Sequence, residues 1–360
     1  MFDHRHYIPI LKAKGGELLA LRDLSPQAKA MLTPLLEMQP PSWDFEDDKP
    51  SKTVKSQLDT AISKIGRAWT GNGPAFVDTR LLEESEVEGG DNPLCYVLHQ
   101  LEPVGVECIP VVYLSSGAKH TECARRHVEN VDRGCCLRLT LEDINADSLE
   151  EDIESLRESL GIEREHIDLI LDLEAFSPSE SARVLIAAKA CLQSVPSLTA
   201  WRTLTLAGTS FPVNMSEFSA SSANSIPRTE LAVWDMLVRS PKTPRLPAFG
   251  DYAIQHPDLV ELDPRIITMS ASVRYATDAD WLLLRGRSVR KHGFKQYEDL
   301  CKKLAGRSEF LGGDHCWGCD YIQKCGSGTE SHGNAMTWRR VGTVHHVTLV
   351  ADQISNYPAP

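Results

Sequence analysis

Short apolar runs alternate with helical stretches along most of the chain, and no other feature limits the fold as tightly. Eight runs read as buried strands: Thr33–Met38, Ala75–Asp78, Cys108–Leu114, Cys135–Thr140, Ile167–Leu173, Arg202–Ala207, Pro247–Tyr252 and Ala271–Ala276. Runs this apolar are covered on both faces, as parallel strands are when helices flank the sheet. Between them, Val54–Trp69 puts Leu58, Ile62 and Ile65 on one helical face. Ser148–Leu160 does the same with Leu149, Ile153, Leu156 and Leu160, and Glu180–Gln193 and Thr229–Val238 also read as helices. The pattern predicts an α/β fold, a TIM-like (β/α)8 barrel.

The expected organisation is one barrel domain over residues 1–360, with an N-terminal extension at 1–32 and a C-terminal extension at 281–360. Tyr7–Leu11 reads as a short strand limited by Pro9, and Trp281–Arg285 as its hairpin or rim partner. Lys291–Leu304 reads as a helix, Ser216–Ser225 as a loop, and His345–Tyr357 as a closing helix or strand.

Composition narrows the partners. With 38 Lys+Arg against 50 Asp+Glu the formal charge is −12, which excludes nucleic-acid binding by bulk electrostatics. Arg285, Arg287 and Arg290 precede a basic stretch, Lys291–Arg307, interleaved with Phe294 and Tyr297. Such a stretch can grip a single strand by stacking and charge, but a solvated amphipathic helix face is the preferred reading. No apolar run approaches the roughly 18–20 residues that span a bilayer, so no membrane partner is expected. Met1–His6 has no apolar leader, so a cytoplasmic location and reduced thiols for the ten cysteines are the expectation.

In a parallel barrel the strand C-termini share one face, and that face carries the site. Here charge gathers at the strand ends. Glu37, Asp78, Asp172 and Glu174 are the candidate catalytic residues, as acid–base groups or as ligands of a divalent metal. Asp172 and Glu174, two apart on a strand, are expected to share a face. Lys12, Lys14, Arg80, Arg138, Ser210, Asp251, Arg274 and His346 are the candidate substrate-binding residues, the arginines suiting phosphate or carboxylate. The substrate class is therefore anionic, a phosphorylated small molecule or a nucleotide, and the reaction a hydrolysis or lyase step. The competing expectation is a structural salt-bridge ring that closes the mouth of a non-enzymatic barrel.

Cys316 and Cys319 form a C-x2-C turn with Cys325 six residues on, and His315 and His332 nearby. These cysteines are candidate metal ligands, although a second pair at standard zinc spacing is missing. No phosphate-binding P-loop, dinucleotide glycine fingerprint, G-x-S-x-G or H-E-x-x-H motif occurs.

The order of certain short motifs is informative. Tyr7-Ile8-Pro9-Ile10-Leu11-Lys12-Ala13-Lys14-Gly15-Gly16-Glu17 leads to Pro34-Leu35-Leu36-Glu37, then Phe76-Val77-Asp78-Thr79-Arg80, and finally Trp338-Arg339 and His345-His346. This series resembles the phage T4 beta-protein family, the beta family proteins of phages and bacteria, over nearly the whole chain. The resemblance implies no particular reaction. It implies carriage by phages or mobile elements and thus a role in phage–host conflict, with a phage or host protein as the alternative partner. Its matching positions are Lys12, Lys14, Glu37, Asp78, Arg80 and His346.

Overall fold

The computed structural model describes residues 2–83, 85–216, 218–220, 222–258 and 269–358. Eight parallel strands close into a barrel: β1 Tyr7–Lys12, β2 Leu35–Glu37, β3 Pro74–Asp78, β4 Glu107–Val112, β5 Cys135–Thr140, β6 Ile167–Ala175, β7 Thr203–Thr209 and β8 Ala248–Asp251. They are neighbours in chain order, and β8 returns to pair with β1. No helix among the described residues is long and apolar enough to cross a membrane.

Two expected strands exchange roles. Tyr7–Lys12 is a stave of the barrel, whereas Ala271–Ala276 lies outside it. The latter belongs to strand Ser270–Ala276 of a three-stranded antiparallel sheet with Asp280–Ser288 and Ser222–Pro227. Trp281 thus pairs with Ala276 and Ile226, not with the N-terminal strand, and part of the expected loop at 216–225 is a sheet edge. Pro9 fits a central strand for a local reason. It is the last residue in register with β8, and Ile10 is the first in register with β2, so the missing N–H falls where the strand changes neighbours.

The side-chain period of two divides each stave between two cores. Ile8, Ile10, Leu35, Phe76, Ile109, Val111, Cys136 and Ile170 fill the lumen. Leu11, Leu36, Val77, Val112, Leu137, Leu139 and Leu171 face outward into the layer shared with the helices. That layer includes Gly15–Asp23, Val54–Trp69, Pro93–Leu101, Ala118–Val131, Leu149–Leu160, Ser181–Ser194 and Thr229–Val238. The closing helix, Ala335–Ser355, packs on Gly15–Asp23 and on β1. Between β8 and that helix the chain makes an excursion. The antiparallel sheet and helices Gln296–Ala305 and Trp317–Gly326 build a satellite core around Tyr275, Tyr297, Cys301, Ile322 and Trp338. The expected helix at 291–304 is interrupted at Gly293, whose φ of 67° ends Val289–His292. Cys95 and Cys123 join two barrel helices as a disulfide, with Cα atoms 5.4 Å apart, where reduced thiols are expected; the other eight cysteines are free.

Candidate functional site at the barrel mouth

Following each inward-facing row toward the strand C-termini, the apolar lumen gives way to one polar layer. Ile8 and Ile10 are succeeded by Lys12, Leu35 by Glu37, Phe76 by Asp78, Val111 by Tyr113, Cys136 by Arg138 and Ile170 by Asp172. Lys12, Glu37 and Asp78 stand in a single row of the register. The layer is set by strand periodicity, and it puts charge over a sealed apolar plug.

Arg138 is its centre. Nη1 donates to Glu37 Oε1 at 2.9 Å, to Asp78 Oδ2 at 2.7 Å and to the Tyr113 hydroxyl oxygen at 3.3 Å. Nε and Nη2 both donate to Asp172 Oδ2, at 2.9 and 2.7 Å, and Nη2 also reaches the Tyr252 hydroxyl oxygen at 2.7 Å. Tyr252 donates to Asp172 at 2.5 Å and Tyr113 to Asp78. Backbone N–H groups of Arg80 and Glu174 satisfy the outer oxygens of Asp78 and Asp172, each at 2.9 Å. Asp78 and Asp172 are almost fully buried. Three carboxylates share one guanidinium, so charge is unbalanced. Burial, reinforced by Asp78, raises the Glu37 carboxyl, while Arg138 opposes that rise. Burial also pushes the Tyr113 and Tyr252 hydroxyls well up, which keeps both as hydrogen-bond donors.

A cationic sector adjoins this acidic one. Lys12 Nζ donates to the carbonyls of His256 and Asp258, each at 2.9 Å. Arg339, from the first turns of the closing helix, lies across Gly16, where an added Cβ would sit 2.8 Å from its side chain. Arg274 donates to the Ile254 carbonyl at 2.8 Å and lies 5.1 Å from the Phe211 ring. Burial lowers Lys12, Arg339 and Arg274, the last to about 9 with help from the like charge of Arg339. Among them sits Glu17, in the first turn of Gly15–Asp23 and 1% exposed. Neither of its carboxylate oxygens has a hydrogen-bond partner. Burial raises it to about 7, against the pull of Arg339, Lys12 and Lys14.

The structure therefore brings Lys12, Glu37, Asp78, Arg138 and Asp172 together. Lys14, Arg80 and Glu174 stand exposed on the rim, Arg80 4.7 Å over the Tyr113 ring. Glu174 does not share the face of Asp172: its φ is 55° and the register slips between Asp172 and Ala175, so strand alternation ends there. Ser210, Asp251 and His346 lie elsewhere. Ser210 binds Glu230 of Thr229–Val238, Oγ to Oε2 at 2.5 Å. Asp251 joins the outward row with Phe249 and accepts from Tyr7 at 2.5 Å and from His346 Nε2 at 2.7 Å, clipping the closing helix to the barrel. Arg274 arrives from the satellite sheet instead of a barrel strand. Sequence reasoning missed Glu17 and Arg339 as site residues. The available signal was that Gly15-Gly16-Glu17 directly follows a strand C-terminus.

The cysteine cluster is regrouped. Cys316 is the N-cap of Trp317–Gly326 and accepts from the Cys319 backbone N–H at 3.4 Å. Cys319 Sγ lies 3.3 Å from His345 Nδ1. Cys325 instead shares a hydrogen bond with Cys301 on the other side of its helix. His332 bonds Glu298 at 3.3 Å, away from the thiols. The basic stretch beyond Arg285 is partly neutralised from within, where Arg307 pairs with Glu309.

A family model described as Beta protein matches residues 7–352. No curated protein sequence matches the chain. Among solved structures, triosephosphate isomerase from Bartonella henselae is 12% identical at a TM-score of 0.33, covering 68% of this chain and 92% of that one. Alanine racemase from Clostridium difficile, in complex with cycloserine, is 8% identical at a TM-score of 0.34, covering 77% of this chain and 61% of that one.

Proposed function

We propose, for a chain that belongs to the Beta protein family, that the barrel mouth is an acid–base active site for a small anionic substrate. One observation carries the reading. Lys12, buried, and Arg274 and Arg339, half-buried, gather at one rim with their charged forms disfavoured, and the acid among them, Glu17, gives them no hydrogen bond. Buried cations without a matched counter-charge are destabilising unless an anion joins them. A phosphate or carboxylate set there would gain charge-assisted bonds from Arg274, Arg339 and the Lys12 ammonium.

Glu17 and Glu37 are the proton-transfer groups in this reading. Both are raised by burial, Glu17 to about 7, so Glu17 can carry a proton near neutrality and release it to a substrate atom, while Glu37 is shifted in the same direction against the pull of Arg138. Asp78 and Asp172 have a different task. Their inner oxygens already accept from Arg138 and a tyrosine, and their outer oxygens from backbone. They position Arg138, and Arg138 presents its hydroxyl-flanked edge beneath Glu37. The carboxylates converge on a guanidinium, so in this reading acid–base chemistry takes precedence over a divalent ion held by Glu37, Asp78 and Asp172.

The test is a thermal-shift panel of inorganic phosphate, sugar phosphates, nucleotides and dicarboxylates on the full chain, with Lys12→Met and Arg339→Met alongside. A ligand-dependent rise in Tm, lost in both variants, supports the site and names the compound class to assay. If no anion moves the wild-type Tm while the variants melt lower than wild type, the cations are structural and the reading fails.

A further inference from the structure

We infer that His315, Cys316, Cys319 and His345 are the four ligands of a structural zinc ion that ties the satellite core to the closing helix. The donor atoms of His315, Cys316 and His345 all lie within 4.8 Å of one another, and Cys319 Sγ lies 3.3 Å from His345 Nδ1. With Zn–S about 2.3 Å and Zn–N about 2.0 Å, the edges of a tetrahedral site run about 3.3–3.8 Å. One edge is thus formed, and the three edges among His315, Cys316 and His345, already within 4.8 Å, close by rotamer adjustment.

Three further observations point to a metal rather than to packed thiols. His345 Nε2 donates to the Ala276 carbonyl at 2.8 Å, which fixes the tautomer and leaves the Nδ1 lone pair facing the sulfurs. His315 Nε2 is buried and has no hydrogen-bond partner, although its ring centroid is only 5.7 Å from that of His345. Cys316 caps Trp317–Gly326 and receives an N–H from Cys319, so both sulfurs sit at the positive end of a helix, as thiolate ligands prefer. Tyr275 completes the surround, its ring 3.7 Å from the His345 ring and its hydroxyl 3.7 Å from Cys319 Sγ.

The donor set selects the metal. Two thiolates and two neutral imidazoles cancel a dipositive charge, and mixed S/N tetrahedral coordination with four protein ligands marks a closed, structural zinc site. The spacing is atypical because the fourth ligand comes from a helix beyond a loop, not from a second knuckle. Cys325, suggested by the sequence, is excluded by helical phase: it faces Cys301. The consequence reaches the barrel mouth. The helix that supplies His345 also carries Arg339 and His346, so the ion would hold the cationic rim in place.

The experiment is metal analysis of the full chain as purified, followed by exchange into Co(II). The expected result is about one zinc per chain and, with cobalt, a thiolate charge-transfer band with the intense visible bands of tetrahedral coordination. Cys316→Ser and His345→Asn should reduce bound zinc by at least tenfold, whereas Cys325→Ser should retain it. The wild-type cobalt spectrum keeps the test valid if a variant does not fold. A wild-type protein without zinc after reconstitution and without the cobalt–thiolate band would overturn the proposal. So would iron with acid-labile sulfide as the bound metal, or equal metal loss in Cys325→Ser.

Discussion

Replacing Glu17 by Gln should stabilise the protein, and increasingly so as pH rises from about 4.5 through about 7. Glu17 is 1% exposed, both of its oxygens lack donors, and burial raises its carboxyl from 4.5 to about 7. A folded-state value above the unfolded one means the native state binds the proton more tightly. The associated stability is fully present below about pH 4.5 and is lost as pH rises through about 7. At about 1.4 kcal/mol per pH unit, the loss approaches about 3 kcal/mol. Glutamine mimics the protonated acid in shape and charge, so it escapes that loss. Urea unfolding of wild type and Glu17→Gln should give similar stabilities near pH 4.5 and a gap of about 2–3 kcal/mol in favour of the variant near pH 8.5. The comparison isolates Glu17 because other titrations are common to both chains. A variant less stable than wild type at high pH would show that Glu17 is held by its cations as an ion pair. A gap independent of pH would show that the carboxyl does not titrate in this range. Either outcome would remove Glu17 from the proton-transfer role.

Two further outcomes follow from the packing. Arg138→Met strips Glu37, Asp78 and Asp172 of their shared partner and should cost about 3–5 kcal/mol, the usual price of stranding buried charge. Without the guanidinium that opposes its rise, the Glu37 carboxyl should climb further, so the deficit should widen as pH increases from about 5 to about 8, measured by denaturant titration at each pH. Gly318→Ala would place a Cβ 2.4 Å from the Val341 carbonyl, where a neighbouring helix backbone cannot yield. A loss of about 1–3 kcal/mol is expected by thermal melting, with bound zinc falling in parallel because the two helices would part.

The closed barrel was legible because its strands are apolar on both faces, and seven of the eight were recognised from that alone. The exchange of Tyr7–Lys12 for Ala271–Ala276 has a definite cause. YIPILK is buried at every position, yet its proline reads as an edge signal, and only the stagger between β8 and β2 resolves the conflict. Ser270–Ala276 carried the opposite warning. Ser270, Ser272 and Arg274 alternate with buried Ala271, Val273 and Tyr275, which is the half-exposed pattern of an antiparallel sheet. The closing helix was ambiguous because it is buried on both flanks: Val344, Val347 and Val350 face the barrel core while Trp338 and Val341 face the satellite. A helix without one polar side shows no periodic stripe. Site residues were legible where strand period two continued to the rim, as at Glu37, Asp78, Arg138 and Asp172. They were not legible where a bulge intervened, at Glu174, or where the residue came from outside the barrel, at Glu17 and Arg339.

The two halves of the mouth depend on each other through that last point. Arg138 and its carboxylates are built into β2, β3, β5 and β6, and so share the stability of the barrel wall. Arg274 and Arg339 come from the satellite sheet and the closing helix, and their positions depend on how firmly that excursion is anchored. Three anchors are present on the helix: Arg340 pairs with Asp23, His346 with Asp251, and His345 with the Cys316–Cys319 turn. Loss of the third should leave the barrel folded while releasing the cations, so anion affinity should fall further than global stability does. A substitution confined to the barrel wall, such as Arg138→Met, should reverse that order.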